Sequence, residues 1–288
     1  MKQYRYPSMS YVTVVELDYN EISKVDFALC QQPKESLETF YARQLTKPQI
    51  LINGGFFVTT SGDTIFNFID EREVISSTDN YKWGLGVVGS KLQYGHLDQI
   101  KDKRDFVSGY PNLVDNNVAV PITFGHEIDY LARRTMLGYN DDKIFIITVD
   151  SPGLRFNDMQ KMLTTLKVRY AINLDGGGST RMLIDGKRVT EELWSRPVDN
   201  VVAFYLQVPE PVLYRVQVGA YSVKSNADNM RLNIVALNDT IGAGYRNAYV
   251  RYIGGLYKCQ VGAFSIRSNA EKVLSDLKSK KIDAFITI

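Results

Sequence analysis

Asp175 is the residue of this chain best placed to react. It ends an apolar run, Ala171-Ile172-Asn173-Leu174, and is followed by Gly176, Gly177 and Gly178, then Ser179 and Thr180. A carboxylate at the end of a strand, with no side chains immediately ahead of it, is held rigidly yet open to a ligand. Once ionised it can act as a base or a nucleophile. A second glycine run, Asn53-Gly54-Gly55, follows another apolar run, Ile50-Leu51-Ile52. Consecutive glycines cost backbone entropy and offer nothing to pack, so they suit places where φ is positive or a ligand comes close. Successive N–H groups in such turns form concave sites suited to an anion such as a phosphate. Plain turns would also satisfy either run, with Asp175 as an Asx-turn aspartate bonding its own loop. Neither run has Walker A or G-x-G-x-x-G spacing.

The elements around these residues read as mixed strands and helices. Strands are expected at 11–17, 49–53, 84–88, 144–149, 170–174, 181–184 and 201–208, from apolar stretches bounded by turn residues. The clearest helix covers 156–166 and leads from the strand at 144–149 towards the one at 170–174, in the manner of a strand–helix–strand unit. Asp185-Gly186 reads as a hairpin turn.

Taken together and in order, the motifs are more specific than either run alone. Asn53-Gly54-Gly55-Phe56-Phe57, Gly109-Tyr110-Pro111, Arg134-Thr135 entering a strand, the N-L-D-G-G-G-S-T run and Arg196-Pro197 resemble the phosphodiester glycosidase family over roughly 50–207. The resemblance implies hydrolysis of a sugar-1-phosphodiester, of the N-acetylglucosamine kind, releasing the sugar and leaving a phosphomonoester. It also implies roles. Asp175 is the expected catalytic carboxylate, with Asp150 second. Arg134, or Arg133 beside it, would hold the phosphate. Asn53, Gly54, Gly55, Ser179 and Arg196 would contact substrate, and Gly176, Gly177 and Gly178 would make room and donate N–H groups. Where the family commonly has Asp-Gly-Arg after the strand at 144–149, this chain has Asp150-Ser151-Pro152, and Arg155 is the nearest replacement for the arginine.

Other chemistry has little to draw on. The only histidines are His96 and His126, and the only cysteines are Cys30 and Cys259 in different halves of the chain, which gives neither a disulfide framework nor a zinc cluster. No cofactor or metal is expected. No apolar run approaches the roughly 20 residues that span a bilayer, so membrane insertion is not expected. Lys2 and Arg5 are not followed by the apolar core of a Sec signal. Work outside a cell would therefore need holin-type lysis, as for a phage lysin, or another route; otherwise the chain would be cytoplasmic.

Charge is unevenly spread. Residues 212–288 carry 11 Lys/Arg against 5 Asp/Glu, whereas 1–211 carry 23 against 27. A small basic module on a larger acidic one suggests that the module meets a polyanion. The segment 208–212, Val-Pro-Glu-Pro-Val, reads as a linker between domains at 1–207 and 213–288. Beyond it the run from Tyr214 to Ala227 repeats from Tyr257 to Ala270, with nine of fourteen positions identical. Each copy reads as a strand then a helix, and Gly254-Gly255 makes a hairpin between them. The pattern is βαββαβ, an RNP- or ferredoxin-like arrangement with one sheet face open.

The repeated V-Q-V-G-A-Y/F signature resembles the SPOR domain across essentially all of 212–288. That resemblance implies binding to peptidoglycan glycan strands stripped of their stem peptides. Simple alternation puts Gln217, Tyr221, Gln260 and Phe264 on the open face, with amides for sugar hydroxyls and rings for pyranose faces. An RNA-binding domain shares the topology, but its aromatic RNP1 spacing is absent, so no nucleic-acid partner is expected. The expected whole is an α+β protein: a mixed-sheet glycosidase joined to a wall-binding module, acting on a wall glycopolymer. The alternative from another class is a glycosidase fold without activity, serving as a wall-anchored receptor.

Overall fold

The computed structural model describes residues 1–31, 34–122, 129–192, 196–207, 212–237 and 247–288. The chain forms two compact units, Met1–Gln207 and Val208–Ile288. Of the expected linker, residues 208–211 lie outside the described residues, as does His126.

Among the described residues the first unit is built from three antiparallel sheets. The largest has seven strands, in the order Lys2–Tyr6, Met9–Asp18, Lys143–Leu154, Ala132–Tyr139, Tyr170–Asn173, Asn112–Asp115 and Val118–Ala119. A five-stranded sheet runs Lys187–Arg188, Met182–Ile184, Ile50–Asn53, Asn200–Leu206 and Ile22–Leu29. The third sheet runs Glu73–Ser76, Phe68–Asp70, Asp105–Ser108, Trp83–Val88 and Lys91–His96.

Unbroken apolar stretches form the central strands because both faces of the large sheet are covered. Ile144, Ile146, Val15 and Leu17 face the shared core with Ile50, Ile52, Val202 and Phe204 of the second sheet and Leu85 and Val107 of the third. Their alternates Phe145, Ile147, Val12 and Val14 pack instead on Phe156, Met159 and Leu163 of the helix Phe156–Thr165. Each fully buried Leu or Ile side chain contributes ~1.5–3 kcal/mol. On the second sheet's other face, Leu51, Leu183 and Val201 cover Leu37 and Phe40 of the helix Leu37–Arg43.

The strand–helix–strand connection is present but skips a position. Lys143–Leu154 and Tyr170–Asn173 are not neighbours, because Ala132–Tyr139 lies between them and pairs antiparallel with both. The intervening strand carries Arg133 and Arg134, which reach different partners, Asp150 and the Tyr130 carbonyl. Asp185 and Gly186, with φ of 48° and 75°, form the expected tight turn between Met182–Ile184 and Lys187–Arg188.

In the second unit the described elements run Tyr214–Tyr221, the helix Lys224–Val235, Ala248–Ile253, Leu256–Phe264, the helix Arg267–Ser279 and Phe285–Thr287. The strands pair antiparallel in the order Ala248–Ile253, Leu256–Phe264, Tyr214–Tyr221, Phe285–Thr287. Val216, Val261 and Cys259 bury against Ile234, Ala270, Val273 and Leu277 of the two helices. Gln217 and Gln260 lie directly opposite one another, flanked by Phe285 and Tyr249 in the same cross-strand row, on the other face.

Tyr221 and Phe264 are not in that row, because simple alternation fails along both strands. Both rings pack against the helix-side core. The pairing slips between Gln217 and Gly219, and Gly262 adopts φ of 64°. Each bulge adds a residue and turns the rest of its strand over. The rings then fold back on the glycines: a Cβ at Gly219 would lie 2.6 Å from the Tyr221 hydroxyl, and one at Gly262 would lie 2.3 Å from the Phe264 ring.

Candidate active site

Asp175 stands where the strand Tyr170–Asn173 gives way to its glycine turn, on the wall of a cavity of about 340 Å³. The loop is locked from behind. The Asp175 N–H donates to Gly54 O at 3.1 Å, and its carbonyl accepts from Asn53 Nδ2 at 2.7 Å. Gly177–Ser179 then form a single 3₁₀ turn. Two of the glycines are required for different reasons. A Cβ on Gly176 would sit 2.7 Å from Arg133 O, and Gly177 has φ of 57°.

The carboxylate is deeply set but not isolated. Its Oδ1 accepts from the Gly176 N–H at 2.8 Å, and its Oδ2 lies 3.3 Å from Arg196 Nη2. Ser179 also bonds it, and Arg196 Nε donates to Ser179 Oγ at 2.9 Å. Burial pushes the Asp175 pKa above the ordinary carboxylate value, while Ser179, Arg196 and the Gly176 N–H pull it back. The result is a carboxylate more basic than usual and held in one orientation.

Two guanidinium groups line the same cavity, Arg134 and Arg196. Arg134 lies over the Phe156 ring, 4.2 Å from its centroid, and donates to Tyr130 O at 2.9 Å. Burial lowers its pKa, but an arginine stays charged at any working pH. Among the described residues Asp175 is the one carboxylate lining the cavity. Two cations against one anion leave a net +1, which matches the single charge of a phosphodiester. The other lining residues include Gly176, Gly177 and Gly178, the rings of Phe56, Phe66 and Tyr110, and Asn173, whose buried Oδ1 has no hydrogen-bond partner.

Several expected contacts are elsewhere. Asn53 does not line the cavity. Its Oδ1 accepts from Thr135 Oγ1 at 2.7 Å and from the Arg181 N–H at 3.1 Å, so every polar atom is committed behind the Asp175 loop. Gly54 and Gly55 donate their N–H groups to Asn200, to its carbonyl at 2.9 Å and its Oδ1 at 2.6 Å. This glycine run clamps one loop against another instead of cradling a ligand. Asp150 is also outside the cavity. It lines a separate depression and is buried between Arg133 at 3.5 Å and Arg5 at 3.6 Å, accepting the Glu191 N–H at 3.0 Å. Arg133 is its structural partner, and Arg155 bonds Asp129 O without lining the cavity.

Sequence reasoning missed Asn200 and the ring of Phe66. Asn200 carried a weak signal, since an asparagine opening the last apolar strand needs a reason to be buried. Phe66 carried none, because its position depends on a backbone conformation.

This geometry accords with comparison to known proteins. Residues 41–205 match the family model described as phosphodiester glycosidase, and residues 210–288 match that of the SPOR domain. The chain belongs to the phosphodiester glycosidase family. It is similar to a Mus musculus N-acetylglucosamine-1-phosphodiester alpha-N-acetylglucosaminidase, 26% identical over 165 residues, which are 48% of this chain and 32% of that relative. The chain thus spans about a third of the curated relative's length. In fold it resembles the catalytic domain of the zebrafish enzyme of the same name, with a TM-score of 0.55 and 18% identity over 70% of this chain and 86% of that one. A hypothetical protein from Synechocystis gives a TM-score of 0.59 and 12% identity over 68% and 59% of the two chains. Among the described residues no helix is long and apolar enough to cross a membrane.

Proposed function

We propose that this phosphodiester glycosidase hydrolyses a sugar-1-phosphodiester in a bacterial wall glycopolymer, with the SPOR unit holding it to peptidoglycan. The observation that carries this reading is the pairing of one basic, buried carboxylate with two guanidiniums in one cavity. Ordinary glycoside hydrolysis uses two carboxylates, one of them to protonate the leaving oxygen. A phosphate oxygen leaves as a stable anion and needs its charge held more than it needs a proton.

In the reaction, the bond from the anomeric carbon to the phosphate oxygen breaks, and its electron pair leaves with the phosphate between Arg134 and Arg196. A water oxygen bonds the anomeric carbon as the phosphate leaves. Asp175 takes the water proton. The products are a free sugar and a phosphomonoester.

The departure at Asp150-Ser151-Pro152 bears little on this chemistry, because Asp150 lies outside the cavity. For the SPOR unit, the open-face row Tyr249–Gln260–Gln217–Phe285, with Arg251 and Lys258 beside it, supports glycan binding. Gln217 and Gln260 are themselves buried, so the groups of this face that a glycan would meet are Tyr249, Phe285, Arg251 and Lys258. Action at the wall, whether from a phage or from a bacterium, is part of this proposal, and the SPOR match supports it. The test is to incubate the full chain with a panel of sugar-1-phosphodiesters, with purified wall polymers, and with sacculi. Released sugar is identified by mass spectrometry and bound protein by co-sedimentation. Release from diesters with preferential binding to amidase-stripped glycan is expected; binding without release from any diester would leave only a receptor.

A further inference from the structure

The cavity has two differently built sides, and the mechanism above uses only one. Opposite in character to Arg134 and Arg196 is a set of contiguous rings. Phe56 and Phe66 have centroids 5.2 Å apart, and Phe66 and Tyr110 6.0 Å apart. Tyr81, which does not line the cavity, backs Phe66 at 4.1 Å and Tyr110 at 4.8 Å.

These rings are not held as a core is held. Phe66 has φ of 67° and Tyr81 φ of 55°, in the left-handed region that bulky residues avoid. Two buried polar side chains fix both backbones there. Asn67, 1% exposed, donates from Nδ2 to Asn80 O at 3.0 Å and Tyr81 O at 3.1 Å, and its Oδ1 accepts the Thr78 N–H at 2.9 Å. Ser108, also 1% exposed, accepts the Asn67 N–H at 3.1 Å and donates to Tyr81 O at 2.6 Å. Ser76 Oγ closes the set on Phe66 O at 2.7 Å. Asn173 Nδ2 fixes Tyr110 in turn, through its carbonyl at 2.8 Å. Strained backbone persists where its surroundings over-determine it, and it collects at ligand sites. The rings nonetheless stay half-exposed, so burial of apolar surface does not explain the arrangement.

We infer that Phe66 and Tyr110, backed by Tyr81, form the platform on which the substrate's pyranose ring stacks. This rests on the reading of the cavity as a glycosidase site and gives it a direction. The apolar face of the sugar lies on the rings, the phosphate lies towards the two arginines, and the anomeric carbon falls between, within reach of Asp175. The preferred substrates are therefore pyranosides with a continuous axial C–H face. Phosphodiesters of open-chain alcohols, with no ring to stack, bind only through their charge.

The experiment titrates the full chain and its Phe66→Leu and Tyr110→Leu variants with two probes, N-acetylglucosamine and glycerol phosphate. Leucine keeps apolar volume but presents no ring face. Sugar affinity should fall about tenfold in each variant while glycerol phosphate affinity stays within about twofold. KM for a hydrolysed diester should rise by the same factor, with kcat held. Tyr110, unlike Phe66, does not have a left-handed φ, so Tyr110→Leu carries the test if Phe66→Leu folds poorly. Unchanged sugar affinity and KM in a folded variant, or equal loss for both probes, would overturn the platform. A wild-type chain that hydrolyses no diester and binds neither probe would instead overturn the glycosidase reading beneath it.

Discussion

The two glycine runs look alike in sequence and do opposite work. Asn53-Gly54-Gly55 and Asp175-Gly176-Gly177-Gly178 each follow a buried strand, and each begins with a small polar residue. In the first, the polar side chain turns inward and the glycines let another loop approach: a Cβ on Gly54 would meet Asn200 Oδ1 at 2.1 Å. In the second, the side chain faces a cavity, and a Cβ on Gly177 would meet nothing. The first run is a clamp and the second lines the cavity, joined by the bonds from Gly54 and Asn53 to Asp175. A glycine run after a strand therefore marks a close approach, and what approaches has to be learned from the other side.

The largest effect separating them should come from Asp175→Asn. Asparagine is nearly isosteric and still accepts the Gly176 N–H, but it is neither base nor nucleophile. kcat should fall by about 10²–10⁴, with little change in Tm, because burial already disfavours the charge that is removed. A drop of several degrees with near-normal turnover would make Asp175 a turn residue. Asn53→Ala should do the reverse. It leaves the Thr135 hydroxyl, the Arg181 N–H and the Asp175 carbonyl without their partner, at about 1–3 kcal/mol for each group left unmet. Thermal unfolding should report a clear loss of stability.

The glycines themselves sharpen the contrast. Gly54→Ala forces an overlap with Asn200 and should cost about 1–3 kcal/mol, with turnover per folded molecule preserved. Gly177→Ala strains a left-handed residue for only ~1 kcal/mol but puts a methyl group into the cavity wall, so KM should suffer more than Tm. Equal behaviour of the two variants in both assays would erase the distinction.

The smallest effect is a shift in pH dependence. Asp175 must be ionised to accept a proton, so the rate falls as pH drops through its pKa. Burial raises that pKa and Arg196 lowers it. Arg196→Gln should therefore move the acid limb of the kcat profile to higher pH. The sign for stability is the opposite of the usual salt-bridged aspartate. A raised pKa means that this group's contribution is present at acid pH and lost as pH climbs through the ordinary carboxylate range to the raised value. An acid limb unmoved, or moved to lower pH, would show that another group controls it.

What the sequence made legible was chemistry with a local signature. Asp175, its three glycines and Arg196 could be named because a carboxylate before a glycine run has few uses. The hairpins at Asp185-Gly186 and Gly254-Gly255 followed from turn chemistry alone. Elsewhere long-range packing decided. Asn53 and Asp150 carry the right functional groups, but each is consumed by partners far along the chain, Thr135 for one and Arg133 for the other. Tyr221 and Phe264 are four residues beyond Gln217 and Gln260, so alternation puts them on one face until a bulge intervenes. The module's helices start at Lys224 and Arg267 and use no side-chain cap. The positive φ at Phe66 was not legible, because Ser76 and Ser108 help to hold that backbone from neighbouring strands.

In the proposed reaction the cavity cleaves the bond between sugar carbon and phosphate oxygen, not the bond between phosphorus and oxygen. Hydrolysis of an N-acetylglucosamine-1-phosphodiester in ¹⁸O-labelled water, followed by ³¹P NMR, separates the two directly. The phosphomonoester should form with no ¹⁸O on phosphorus, since water adds at the anomeric carbon and the original oxygen leaves with the phosphate. A phosphomonoester carrying ¹⁸O would mean that water attacks phosphorus, and that Asp175, Arg134 and Arg196 do not play the roles of carboxylate base and leaving-group clamp.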